Sequence, residues 1–120
     1  MKSPLTLYQE HLGRGELAYQ VSDGRPVFFP RVAAPGTGST DLAWKVSKGE
    51  GAVYATTVAH YKGEPPLNIA LIELDEGFRM MSRVEDIPAE SVRIGMRVKL
   101  RVQPAAEGRP ALPVFIPIQP

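Results

Sequence analysis

The chain contains no cysteine. Disulfides, thiolate nucleophiles and every thiolate-held metal site are thereby excluded. Histidine is scarce: His11 and His60 are the only two, and neither has a second imidazole at ligand spacing. Long apolar runs are missing as well. No stretch approaches the roughly 20 residues a membrane-spanning helix needs, and "MKSPLTLYQEHLGRG" has no apolar core of the kind a secretory leader carries. The cytoplasm is the expected location. A charge excess is also lacking, because the formal net charge is only +1. Bulk electrostatics therefore point to neither nucleic acid nor an anionic membrane surface. The glycine-rich pieces "GRG" and "GTGS" lack the order of a phosphate-cradling loop.

What is present in quantity is turn-forming residues. Twelve prolines and eleven glycines in 120 residues imply short elements joined by many turns, which favours an all-β chain. Ser3 before Pro4 is a helix-start pair, and Leu5, Tyr8 and Leu12 follow at helical spacing, so a short amphipathic helix is predicted over 4–12. Residues 16–48 form an arm with little apolar volume of its own. In it "ELAYQV" and "PVFFPRV" read as short strands around the turn "SDGRP", and "APGTGST" is a second turn. From Gly49 the chain becomes strand-like. "GAVYATTVAHY" is β-branched and aromatic. "PLNIALIEL" is almost continuously apolar and is expected to be buried on both faces. "DEG" (Asp75–Gly77) turns into "FRMMSRV" as a hairpin. A short helical turn follows in "EDIPAESVRIG". "MRVKLRVQP" alternates, and "ALPVFIPIQP", with Pro113 and Pro117, is confined to an edge or barrel-closing position. Five strands with a short helix between the third and fourth are the layout of an OB-fold barrel. The expected division is 1–48 for helix and arm and 49–120 for the barrel.

No catalytic constellation assembles from these pieces. The three acids of "ELDEG" read as turn chemistry rather than a paired-carboxylate site, and no metal site is expected. Arg97, Lys99 and Arg101 share one face of the alternating strand, opposite Val98, Leu100 and Val102. That face is either ordinary solvated surface or a phosphate-binding stripe, with Arg79 and Arg83 as an extension. Tyr54, Tyr61 and Phe78 are candidate stacking groups. An OB-fold module for single-stranded nucleic acid is the alternative reading of these features; the near-neutral charge weighs against it.

The ordered series "FFPR", "APGTGSTDLAW", "GAVYATTVAH", "LIELDEG", "RIGMRV" and "LPVF" resembles the acyl-CoA-associated OB-fold proteins, over about Tyr8 to Phe115. Members of that family look like a helix, a rubredoxin-like zinc ribbon and an OB barrel. The ribbon's two cysteine pairs fall here on Gln20 and Asp23 and on Ala34 and Thr37. Gly24, Pro35, Gly38 and Ser39 keep the turn punctuation. Gln, Asp, Ala and Thr cannot make a tetrahedral zinc site, so the arm is expected to be a degenerate, metal-free ribbon. The resemblance implies a scaffold without cofactor or catalytic residues of its own: an accessory subunit of an acyl-CoA-processing complex in lipid or secondary metabolism. Its partner would be a thiolase-like enzyme (acyltransferase, synthase or aldolase) or a hydratase of the hot-dog fold. The arm residues Phe28, Phe29, Pro30, Arg31 and Trp44 are the candidate partner-binding group. Arg97, Lys99 and Arg101 are the candidates for contact with a CoA thioester.

Overall fold

Ser3 starts the only α-helix among the residues described by the computed structural model, 3–30 and 42–118. Its Oγ accepts a hydrogen bond from the Thr6 amide (3.2 Å), and Pro4 occupies the first turn, where an amide would lack a partner in any case. The helix, α1 (Pro4–Gly13), buries Tyr8 and Leu12; Leu5, expected on the same stripe, is exposed. Among the described residues no helix is long and apolar enough to cross a membrane.

The arm forms a three-stranded antiparallel sheet of β1 (Ala18–Ser22), β2 (Arg25–Val27) and β3 (Ala43–Val46), in the order β2-β1-β3. Asp23 and Gly24 both have positive φ (51° and 74°), as a tight hairpin turn between twisted strands requires. β2 stops at Val27, short of the longer run expected from the sequence.

The second sheet has the order β6-β5-β4-β7-β8, from β4 (Glu50–Ala59), β5 (Leu67–Leu74), β6 (Arg79–Ser82), β7 (Arg97–Gln103) and β8 (Leu112–Pro117). A single turn of 3-10 helix, Ala89–Ser91, lies between β6 and β7. β4 changes neighbours along its length. It pairs with β7 only through Glu50–Ala52, and with β5 throughout, across a register shift between Val53 and Ala55. A Cβ on Gly51 would lie 2.3 Å from the Glu73 carbonyl oxygen, so only glycine permits that crossing. The sheet closes on itself where Phe115 donates to the Arg83 carbonyl (3.0 Å) and accepts from the Glu85 amide (2.8 Å), a parallel bridge between Val84 and Phe115. Closure makes it an OB-fold barrel, all-β as expected.

β5 departs from the expectation of two buried faces. Asn68, Ala70, Ile72 and Leu74 are buried, whereas Ile69, Leu71 and Glu73 are half-buried. A barrel strand has one face inside, and here the outside is only partly covered.

One apolar cluster runs from the helix and arm (Tyr8, Leu12, Leu17, Tyr19) into the barrel (Val53, Ile72, Phe78, Val98, Phe115). Phe78 joins the two. Its ring lies 4.8 Å from that of Tyr19 and is stacked at 5.0 Å and 15° on Phe28. Polar groups brace the same junction. Ser47 donates its amide to Leu17 O (2.8 Å) and its hydroxyl to Glu76 Oε1 (2.6 Å), while Glu76 Oε2 accepts from the Lys48 amide (2.9 Å).

Removing the Phe78 ring would leave a cavity lined by both parts of the core. Phe78→Ala is expected to destabilise the fold by about 3–5 kcal/mol, measured as a fall in the urea midpoint.

Candidate functional site

Among the arm residues expected to bind a partner, the aromatic rings rest on different groups. Phe28 is half-buried in the stack on Phe78. Phe29 is 52% exposed and leans edge-on against Tyr8 (5.5 Å) and Phe28 (5.8 Å). Pro30 follows, half-buried. Trp44, on β3, stacks instead over the His11 ring at 6.0 Å and 22°. Tyr8 and His11, three residues apart on α1, are thus the seats for Phe29 and Trp44. Arg31, Ala34, Pro35, Thr37, Gly38 and Ser39 lie outside the described residues. Of the two other positions matched to ribbon cysteines, Gln20 is buried in mid-β1 and Asp23 is in the hairpin turn.

His11 Nδ1 lies 2.9 Å from Glu16 Oε1 and 3.0 Å from Arg14 Nη2. The hydrogen bond from His11, reinforced by Arg14, holds the Glu16 carboxyl below its ordinary pKa. His60 is exposed just beyond β4. Among the described residues no group of three or more His, Asp or Glu side chains could hold a metal ion.

On β7 the alternation is as expected. Val98 is buried and Leu100 and Val102 pack against the core, while Arg97 and Lys99 are exposed and Arg101 is half-buried. Both arginines, however, already hold carboxylates. Arg97 grips Asp75 with two hydrogen bonds (2.8 and 2.7 Å) and lies 3.9 Å from Glu50. Arg101 donates to Asp86 (2.8 Å) and to Glu85. Lys99 has no ion-pair partner among the described residues. A phosphate approaching either arginine would compete with an anion already in place.

The acids of the β5–β6 turn are therefore not idle solvated groups: Asp75 clamps β7, and Glu76 braces the arm. Arg79 and Arg83 are also engaged. Arg79 lies over the Tyr54 ring (3.7 Å) and 3.4 Å from Glu73. Arg83 donates to Glu85 (2.6 Å) and Gln103 (3.1 Å). Of the candidate stacking aromatics, Tyr54 and Tyr61 are exposed, but Phe78 is only 5% exposed. As the core link it is unavailable to a base.

A cleft of about 600 Å³ lies at the seam between β6 and β8. Its cause is covalent. Continuing the parallel ladder beyond Phe115 would require an amide from Pro113, which has none. The Pro113 carbonyl instead accepts the Ser82 hydroxyl (2.9 Å), and the strands part. Tyr8, Phe28 and Phe29 close one side; Met80, Met81 and Leu112 line the other. Sequence reasoning did not find this cleft, because its lining comes from five separated segments. The only legible signal was the proline in the last strand.

The Asp75–Arg97 pair carries a definite pH dependence. The hydrogen bonds from Arg97, with a smaller contribution from its charge, hold the Asp75 carboxyl below its ordinary value of 3.8. A depressed folded-state value means that the contribution is complete above the ordinary value and is lost as pH falls through the folded one. Asp75→Asn should therefore be less stable than the parent protein near neutrality, with the gap closing in strong acid. Urea midpoints at about pH 7 and about pH 2.5 measure it.

Comparison with known proteins bears on the same architecture. The family model described as the ChsH2 C-terminal OB-fold domain matches residues 44–103. A Thermomonospora curvata protein named probable enoyl-CoA hydratase alpha subunit is 36% identical over 95 residues, 76% of this chain and 30% of the other. A Methanocaldococcus jannaschii DUF35 domain-containing scaffold protein is 39% identical over 56 residues, 42% of this chain and 40% of the other. The chain thus spans well under half the length of these two relatives. The solved structure of an Ltp2-ChsH2(DUF35) aldolase superposes with a TM-score of 0.82 at 29% identity, covering 98% of this chain and 96% of that one. The barrel, its matched residues and the likeness over nearly the whole length agree, and the chain belongs to the acyl-CoA-associated OB-fold family represented by the ChsH2 C-terminal domain.

Proposed function

We propose that this protein is a non-catalytic accessory subunit of an acyl-CoA-processing complex, seating a thiolase-like enzyme or a hot-dog hydratase through the arm. The observation that carries the reading is Phe29, a large apolar ring left half-exposed on a firm base. Rings held this way anchor interfaces, because little side-chain freedom remains to be lost on binding. The relatives support the same reading through their names: a hydratase subunit, a scaffold protein and an aldolase assembled with a ChsH2 domain. The residues add further support. Cysteine is absent, and His11 is occupied by Glu16 and Trp44, so the reacting groups are assigned to the partner.

Contact with the CoA thioester, in this proposal, narrows from three cations to one. Arg97 and Arg101 hold carboxylates; Lys99 is exposed and has no ion-pair partner among the described residues.

Affinity purification of the tagged protein from its native cells tests the main reading. A thiolase-like enzyme or a hydratase should co-elute in stoichiometric amount, and recovery of the chain by itself at low salt would count against it. Phe29→Ser should weaken that association by about 2 kcal/mol or more, seen as loss of co-elution from an otherwise folded protein. Lys99→Ala in the assembled complex should raise KM for the acyl-CoA about fivefold at low salt, as expected of one exposed charge contact worth about 1 kcal/mol. An unchanged KM would remove this face from substrate binding.

A further inference from the structure

β4 is paired on both sides only at its beginning. On the β7 side the ladder covers Glu50–Ala52, and Val53 adds two bonds, donating to the Met96 carbonyl (3.0 Å) and accepting from the Gly95 amide (2.8 Å). On the β5 side the pairing continues to Ala59. The register shift between Val53 and Ala55 exchanges the directions of successive residues. Thr57 thus faces β5, where its carbonyl accepts from Asn68 Nδ2 (3.3 Å). Alternation then turns the amides and carbonyls of Thr56 and Val58 the other way. Beyond Val53, no strand pairs with that side among the described residues.

A row of unpaired main-chain groups fits another extended strand. The run Val53–Ala59 reads VYATTVA, with no charge, proline or glycine. It therefore has none of the residues that keep an edge from joining its own copies. Other open edges of this fold do have them: Arg25 and Pro26 on β2, Lys45 on β3 and Pro113 on β8. The run is also self-complementary. Laid antiparallel to itself about Thr57, it sets Thr56 of each copy opposite Val58 of the other, and each such pair exchanges two hydrogen bonds. Thr57 then meets Thr57 of the second copy, a favourable cross-strand pair, and the small Ala55 meets Ala59. Tyr54, Tyr61 and Ile94, the last next to Gly95, are 46%, 55% and 71% exposed and give the run apolar flanks.

We propose that β4 pairs with β4 of a second copy of this chain, antiparallel and centred on Thr57, so that two barrels share one continuous sheet across a two-fold axis. β4 is the middle strand of the order β6-β5-β4-β7-β8. The pairing therefore lies across the barrel from the β6–β8 seam, and Phe29 stays free in both copies. The pairing is independent of the docking role, and its test uses the purified protein without a partner.

Sedimentation velocity of the purified chain from about 5 to about 500 µM should show a monomer–dimer equilibrium, of the weak kind expected from a contact of a few strand residues. Thr57 is exposed, so Thr57→Lys and Thr57→Glu should both keep the parent's urea midpoint. Each by itself should weaken the dimer about tenfold or more, because like charges then lie directly opposite one another. An equimolar mixture of the two variants should recover a mixed dimer at least as strong as the parent's. Amide hydrogen exchange locates the contact: Thr56 and Val58 should exchange quickly in dilute solution and slow as the dimer fills, whereas Thr57 and Ala59, paired to β5, should be protected throughout. A monomer at the top of the concentration range would overturn self-pairing and leave the edge to a strand of another protein. Dimerisation undiminished in both variants would overturn the β4 contact. Weakening by both without recovery on mixing would overturn the register centred on Thr57.

Discussion

Phe78 lies between Tyr19 and Phe28, and the position of the whole N-terminal part follows from that stack. The arm's own strands are of three to five residues, too short and too few to bury a core alone. Their rings pack outside the arm, Tyr19 on Phe78 of the barrel and Trp44 on His11 of α1. Aromatic pairs of this kind contribute about 0.5–1.5 kcal/mol each beyond the area they bury. Several acting together, with Leu12 and Leu17 fully enclosed beneath them, fix the arm as one piece with the barrel. In a metal ribbon, coordination supplies much of the folding free energy. Here the four positions that resemble ligand sites are Gln20, Asp23, Ala34 and Thr37, and order among the described arm residues comes from shared packing.

The same junction explains why the β5–β6 turn is acidic. Asp75 and Glu76 follow each other in sequence but point to different tasks, one holding Arg97 on β7 and the other accepting from Ser47 and Lys48. The cations of β7 are consumed in the same way, so that the face reads as basic in sequence and is largely neutralised in space. Such exposed pairs add little stability individually; what they do set is which charges remain available to a ligand.

Barrel closure has a comparable double effect. The bridge at Phe115 completes the barrel, and the proline two residues earlier stops the ladder from extending. A closed core and an open apolar seam therefore come from neighbouring residues of one strand. That seam faces the side on which α1 and Phe29 sit, so the arm that packs on the barrel also walls the cleft.

Much of the local structure was determined by sequence alone: Ser3–Pro4 opening a helix, Asp23–Gly24 turning a hairpin, the alternation of Arg97 to Val102 making a two-faced strand, and prolines excluding the last strand from a central position. Each depends on neighbours within a few residues, where capping, positive φ and the period of two act directly. The order of the motifs likewise sufficed for the family. Tertiary structure decided what depends on groups far apart in the chain. It buried Phe78, which had looked free to stack on a ligand, and paired Arg97 and Arg101 with acids 22 and 15 residues away. It left the outer face of β5 half-covered and assembled the cleft from Tyr8, Phe29, Met81 and Leu112. The physical reason is that side-chain availability is a property of the completed barrel: an arginine or a phenylalanine looks the same in sequence whether solvent, a carboxylate or the core will meet it.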